Sequence, residues 1–189
     1  DGVLCIGGEW REGGVTHRSA KVFALGQADG QVVIDENYPA LPKGTTAAAG
    51  ALVGETVYVA GGDSGDGATK NFWALDLAKR GAADFAWVTL PPWDGPARTH
   101  LLASVQHDGA TDCLYIFSGR MKDGDGHWRM LGDAHKFNPN SGEWKKIHDI
   151  LPSGDGQPRC VMAGTVAPIG ANQLLVFGGA NGKRFITLT

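Results

Sequence analysis

Val57-Tyr58-Val59-Ala60-Gly61-Gly62 carries an apolar run straight into a pair of glycines. The same phrase returns as Val3-Leu4-Cys5-Ile6-Gly7-Gly8, Leu114-Tyr115-Ile116-Phe117-Ser118-Gly119 and Leu174-Leu175-Val176-Phe177-Gly178-Gly179. Each run is only four residues long, rich in β-branched and aromatic side chains and closed by small residues, which reads as a short buried strand rather than a helix. The first small residues of the four pairs are 54, 57 and 60 residues apart. A fixed period of this size marks an architecture in which one supersecondary unit is repeated and neighbouring units bury each other's faces.

The remainder of each unit has its own order. A Gly- and Asp-rich loop follows the doublet, then a short aromatic strand at Ala20–Leu25, Asn71–Asp76 and Ala134–Asn138. A third strand begins at Val32, Trp87 and Trp144 and runs down to Leu-Pro at 41–42, 90–91 and 151–152. Lys43, Arg98 and Arg159 then open a strand of small residues, suited to the crowded inner position where blades converge. Each unit is thus expected to supply the four strands of one propeller blade, with a period slightly above the roughly 50 residues of kelch repeats. The fold class expected is all-β, a kelch-type β-propeller over residues 1–189 with doublets at 7–8, 61–62, 118–119 and 178–179. The chain opens in mid-strand without Met and holds about three blades plus a partial one, whereas a closed ring takes about 4–8. It is therefore expected to be part of a longer protein, with about six blades in the ring and the remaining ones needed for closure.

Composition narrows the function. Charged residues make up 20% and hydrophobic ones 42%, and no apolar stretch nears the length of a membrane-spanning helix. Seventeen basic against 20 acidic residues give a net charge of −3 without a Lys/Arg cluster, so nucleic acid is not an expected partner. Cys5, Cys113 and Cys160 are odd in number and far apart, and they read as small hydrophobes rather than a disulfide framework. Asp63-Ser64-Gly65-Asp66-Gly67 and Asp123-Gly124-Asp125-Gly126 lack the downstream Glu of a calcium loop and read as Asp-Gly turns. The six His residues have no zinc spacing. Neither metal nor cofactor is expected.

From Lys43 to Gly179 the order of phrases resembles the bacterial N-acetylneuraminate epimerase (sialic acid mutarotase) family. The resemblance rests on Lys43-Gly44-Thr45-Thr46-Ala47, Thr56-Val57-Tyr58-Val59, Phe72-Trp73-Ala74-Leu75-Asp76, Gly95-Pro96-Ala97-Arg98, Asp133-Ala134-His135-Lys136-Phe137-Asn138-Pro139 and Ser141-Gly142-Glu143-Trp144. These phrases look like the family's opening blades, and the preceding segment from Ile6 to Val33 looks like its closing blade. That order is the one of the cyclically permuted mutarotases. The resemblance implies a cofactor-free isomerase that interconverts the anomers of sialic acid, with acid/base residues facing the channel, in a bacterial periplasm or secreted. The rival reading is a non-enzymatic kelch module that binds protein or glycan, since fold alone does not carry function.

Mutarotation needs a base for the anomeric hydroxyl, an acid for the ring oxygen and a positioned substrate. Glu9 directly follows a doublet, and Glu9 with Arg18 imitates the family's Gly-Glu and downstream Arg, which the resemblance makes the catalytic pair. Phrase order places Glu9 in the closing blade while the family's Glu lies in another, so a structural Glu at the channel rim stays open as the alternative. The substrate's carboxylate calls for an Arg, whose planar fork Lys cannot copy. Arg98 and Arg159, at the starts of inner strands, are the candidates for substrate binding, against a role tying backbone between blades. His100, two residues past Arg98 and so expected on the same strand face, is a candidate acid or donor.

Overall fold

The computed structural model describes residues 2–152, 154, 156 and 159–183. The final Ile186–Thr189 stretch lies outside the described residues. In chain order β1 (Gly2–Ile6) leads into a hairpin of β2 (Glu9–Glu12) and β3 (Val15–Arg18), followed by β4 (Val22–Ala28) and β5 (Gln31–Asp35). Then come β6 (Thr46–Val53), β7 (Thr56–Asp63), β8 (Phe72–Asp76) and, past a 3-10 turn at Leu77–Lys79, β9 (Val88–Thr89). β10 (Leu102–His107) and β11 (Asp112–Phe117) precede a second hairpin of β12 (Arg120–Lys122) and β13 (Trp128–Met130), with β14 (Ala134–Asn138) and β15 (Glu143–Lys146) after it. β16 (Thr165–Ile169) and β17 (Gln173–Phe177) complete the described strands.

These strands form successive antiparallel blades ordered β1-β4-β5, β6-β7-β8-β9, β10-β11-β14-β15 and β16-β17. The fold is a kelch-type β-propeller, all-β as the repeats require. The repeat boundary falls elsewhere than the sequence reading has it. β6 pairs with the doublet strand that follows it, from Val53↔Thr56 to Ala48↔Gly61, so the small-residue strand belongs to the next blade. β10 does the same with β11, Leu102↔Phe117 to His107↔Asp112. A short turn makes this pairing nearly automatic, because loop closure is cheapest between adjacent segments. The third small segment, Val161–Gly164, forms no strand; only Met162 bridges to Ala180, and β16 begins at Thr165.

The core lies between blades, and the period of two in the strands explains how. On β7, Val57 and Val59 face the first blade with Trp73, Leu75, Val22 and Leu41, whereas Tyr58 and Ala60 face the third with Phe72, Trp93, Leu114, Ile116 and Phe137. Both faces of a middle blade are thus buried, which is why the doublet strands are apolar throughout. Phe72 and Phe137 meet edge-on with centroids 4.9 Å apart, and Trp144 packs edge-on to Phe72 at the same distance.

The doublets are small because the next blade's backbone leans on them. A Cβ on Gly61 would sit 2.7 Å from the carbonyl oxygen of Arg98, and one on Gly7 2.6 Å from that of Thr45. Both glycines are left-handed, at φ +67° and +68°, a second reason that a side chain is unwelcome. Ser118 holds the same conformation at φ 59° and is fully buried, with its Oγ accepting from the Val161 N–H at 3.3 Å. The all-or-nothing glycine rule is relaxed there by a hydrogen bond. No helix among the described residues is long and apolar enough to cross a membrane.

Candidate functional site

The inner ends of the blades are laced together by backbone. The second doublet residues Gly8, Gly62 and Gly119 donate N–H to the carbonyls of Thr45, Arg98 and Val161 at 2.8, 2.9 and 2.8 Å. Two residues past each acceptor stand Ala47, His100 and Ala163, all left-handed at φ 52°, 54° and 53°. His100 donates its N–H to Ala47 O at 2.7 Å, and Ala163 donates to His100 O at 3.2 Å. This repeating pattern makes Arg98 equivalent to Thr45 and Val161, whereas Lys43 and Arg159 sit two places earlier. The three basic residues are therefore not counterparts, contrary to the reading of them as a common opening residue.

Just beyond the lace, the position after each doublet is held by Glu9, Asp63, Arg120 and Ala180. Glu9 is exposed and sits opposite Arg18 in the β2–β3 register. Arg18 reaches the second blade, with Nη2 3.0 Å from Asp63 Oδ1. Arg120 pairs backbone with Thr99, beside His100. The imidazole of His100 has Thr99 Oγ1 2.9 Å from Nδ1. Burial first, and the charge of Arg120 second, push the His100 pKa below its usual 6.5, while Glu9 and Asp63 pull the other way. An uncharged imidazole with Nδ1 turned to a hydroxyl leaves Nε2 as a donor or acceptor for a ligand.

The guanidinium of Arg120 lies 3.8 Å from the ring centroid of Trp128, which the β12–β13 hairpin brings back over it. Its Nε is buried without a hydrogen-bond partner, and burial lowers its pKa with no carboxylate to offset that. Trp10, half exposed on the equivalent hairpin of the first blade, stacks on His17 at 5.0 Å.

Arg98 and His100 do not share a face, because the left-handed turn at His100 breaks the alternation of an extended strand. Arg98 is fully buried. Its Nη1 donates to Ser118 O at 3.1 Å and to Asp133 O at 3.3 Å, and its Nη2 forms an ion pair with the Asp133 carboxylate. The same carboxylate is 2.7 Å from His135 Nε2. Burial raises the Asp133 pKa, but the His135 hydrogen bond and the Arg98 charge outweigh it and hold the group below the ordinary 3.8. Gly95 is obligatory in this corner, since a Cβ would fall 2.7 Å from His135 Nε2. The fork expected to meet a substrate carboxylate is therefore engaged inside the protein. Arg159 is exposed, and no described contact joins it to the His100 cluster.

Sequence reasoning missed Asp63, Arg120 and Trp128. The position that singled out Glu9, one past a doublet, also picks out Asp63 and Arg120, so the signal was present. Asp123, Asp125 and His127, at the tip of the β12–β13 hairpin, each bring one ligand atom within 4.8 Å of the others. Asp123 Oδ1 there already accepts the N–H groups of Asp125 and His127 at 3.1 and 2.9 Å, as an Asp-Gly turn requires.

Residues 38–188 match the family described as N-acetylneuraminate epimerase. N-acetylneuraminate epimerase of Haemophilus influenzae strain PittEE is 31% identical over 146 residues, covering 77% of this chain and 34% of the relative. The Pasteurella multocida protein of the same name is 31% identical over 76% of this chain and 33% of its own. That of Escherichia coli K12 is 30% identical over 78% and 35%. The solved structure of YjhT superimposes with a TM-score of 0.58 at 25% identity, covering 75% of this chain and 36% of that one. The chain spans about a third of the length of the curated relatives it matches. From the phrase order, the shared blade geometry and these matches, the chain belongs to the N-acetylneuraminate epimerase family.

Proposed function

We propose that the protein interconverts the anomers of N-acetylneuraminate by acid/base catalysis at the inner ends of its blades, without metal or redox cofactor. The observation that carries this reading is the meeting of three blades at His100, which donates its N–H to Ala47 O at 2.7 Å and follows the Thr99 that bridges to Arg120, with Glu9 and Asp63 at the matching positions of the neighbouring blades. In this reading Glu9 takes the proton of the anomeric hydroxyl while the protonated form of His100, a minor population made more acidic by its depressed pKa, donates to the ring oxygen. The bond between the anomeric carbon and that oxygen breaks to an open-chain ketone, and reclosure on the other face returns both protons. Arg18, tied to Asp63 at 3.0 Å, positions the carboxylate opposite it. Arg98 belongs to the frame, holding the Ser118 doublet and Asp133 in place behind the site. Family resemblance alone supports a periplasmic or secreted location.

The test follows equilibration of freshly released α-sialic acid with its β anomer by NMR, using the full-length protein. Acceleration is expected, with no change on adding chelator and no need for nicotinamide. Glu9→Gln is expected to slow exchange about 10²–10⁴-fold, the usual worth of a positioned base. A full-length protein that accelerates neither sialic acid nor common aldoses is a binding module and not an enzyme.

A further inference from the structure

We propose that Arg120, braced by Trp128, is the anion-recognising residue of this site and sets its preference for a sugar bearing a carboxylate over the same sugar without one. The inference rests on the sugar-binding reading above and adds to it the residue that reads the substrate's charge.

The guanidinium groups at the inner ends differ in what they are bound to. Arg18 is paired with Asp63, and Arg98 with Asp133. Arg120 stands one past a doublet, as Glu9 and Asp63 do; its Nε is unpartnered like those of Arg18 and Arg98, but unlike theirs its guanidinium has no ion pair with a described residue. Arg120 is half-buried, and a partly desolvated cation without a counter-charge gains from an anion that reaches it. The fork is nevertheless not loose. It lies against the indole of Trp128 at 3.8 Å, an arrangement that fixes the plane of a guanidinium and leaves its edge N–H groups directed outward. The register Arg120↔Met130 and Lys122↔Trp128 makes the hairpin a clip that carries the aromatic ring back over the cation. Lys122 Nζ is 5.3 Å from the same ring, adding positive potential. Arg120 is also felt by His100, so an anion held by its fork lies beside the proposed donor. A planar carboxylate matches two parallel N–H groups, and a neutral hydroxyl does not.

The experiment measures calorimetric binding of N-acetylneuraminate and of its carboxyl methyl ester, a neutral probe of nearly the same shape, to the full-length protein. The parent is expected to favour the free acid. Arg120→Gln is expected to weaken the acid by about ten- to a hundredfold, the worth of one or two charge-assisted hydrogen bonds, and to leave ester binding unchanged. Arg120→Lys keeps the charge without the fork and is expected to lose most of the preference. Trp128→Ala loses part of it, and Trp128→Phe restores it. If Arg120→Gln does not fold, the Trp128 pair still decides, because a surface aromatic with no part in recognition leaves the acid-to-ester ratio unmoved. An unchanged ratio in the Arg120 and Trp128 variants, or equal loss of both ligands, overturns the proposal. Preference for the acid that depends on Arg120, in a protein that does not accelerate anomer exchange, sinks the mutarotase reading and keeps this assignment. Acceleration with the preference intact in Arg120→Gln does the reverse.

Discussion

Arg98 shows how one residue type in one place supports two readings that only geometry separates. Its guanidinium is buried and bound to Asp133 and Ser118, so Arg98→Ala strands the Asp133 carboxylate and is expected to cost about 3–5 kcal/mol of stability. Sugar affinity in the folded fraction should hardly change; a mutant with the parental melting temperature and weakened sugar binding would falsify this placement. His100 makes a pH prediction. Its pKa is depressed below 6.5 in the fold, so the unfolded chain binds more protons and stability present above 6.5 is lost as pH falls through the depressed value. Chemical denaturation at about pH 7 and 5 should show a smaller drop for His100→Gln than for the parent. From sequence, His100 and Arg98 look like neighbours on one strand face. Nothing in the residue string announces the left-handed backbone at His100, because a positive φ outside glycine is imposed by the contacts with Ala47 and Ala163.

Among elements, the doublets were the most legible part of the chain, and their meaning is a close approach between blades. Gly61→Ala places a methyl 2.7 Å from the Arg98 carbonyl on a left-handed backbone and is expected to cost about 1–3 kcal/mol. Gly54→Ala, at φ +58° with open space around it, carries only the strain of its conformation and should cost clearly less by thermal melting. Strand identity was readable because apolar runs on β7 and β11 are buried on both faces, and the aromatic strands were found for the same reason. Two things were not. The blade begins one strand before the repeat unit read from the sequence, since sequence shows a period but not where hydrogen bonding begins the blade. The β2–β3 and β12–β13 hairpins read only as polar loops, because Glu9–Glu12 is short and exposed and Arg120–Lys122 is shorter still and only half-buried, neither with an apolar face to mark a strand.

Over the whole molecule, the middle blades bury both faces and the end blades do not. Val3, Val32 and Ile34 of the first blade are 64%, 74% and 62% exposed, and Ile169, Leu175 and Val176 of the last remain exposed as well. Apolar faces of this kind drive association, so the 189-residue chain by itself is expected to self-associate in sedimentation velocity as concentration rises. A sharp two-state melt of a stable monomer would count against that. The first blade also lies outside the residues matched by the family, 38–188, although it shares the lace through Gly8 and Thr45. That lace is made of backbone alone, and this has a consequence for what such rings can become. Ala47 and Ala163 occupy the same left-handed station as His100, with side chains that take no part in holding the blades. The three share one backbone station on successive blades, so a side chain placed at Ala47 or Ala163 is expected to leave the backbone lace as it is. Asn, which accepts this conformation readily, should be tolerated at either position with little change in melting temperature, so that novelty enters the ring by rotation of a role from blade to blade.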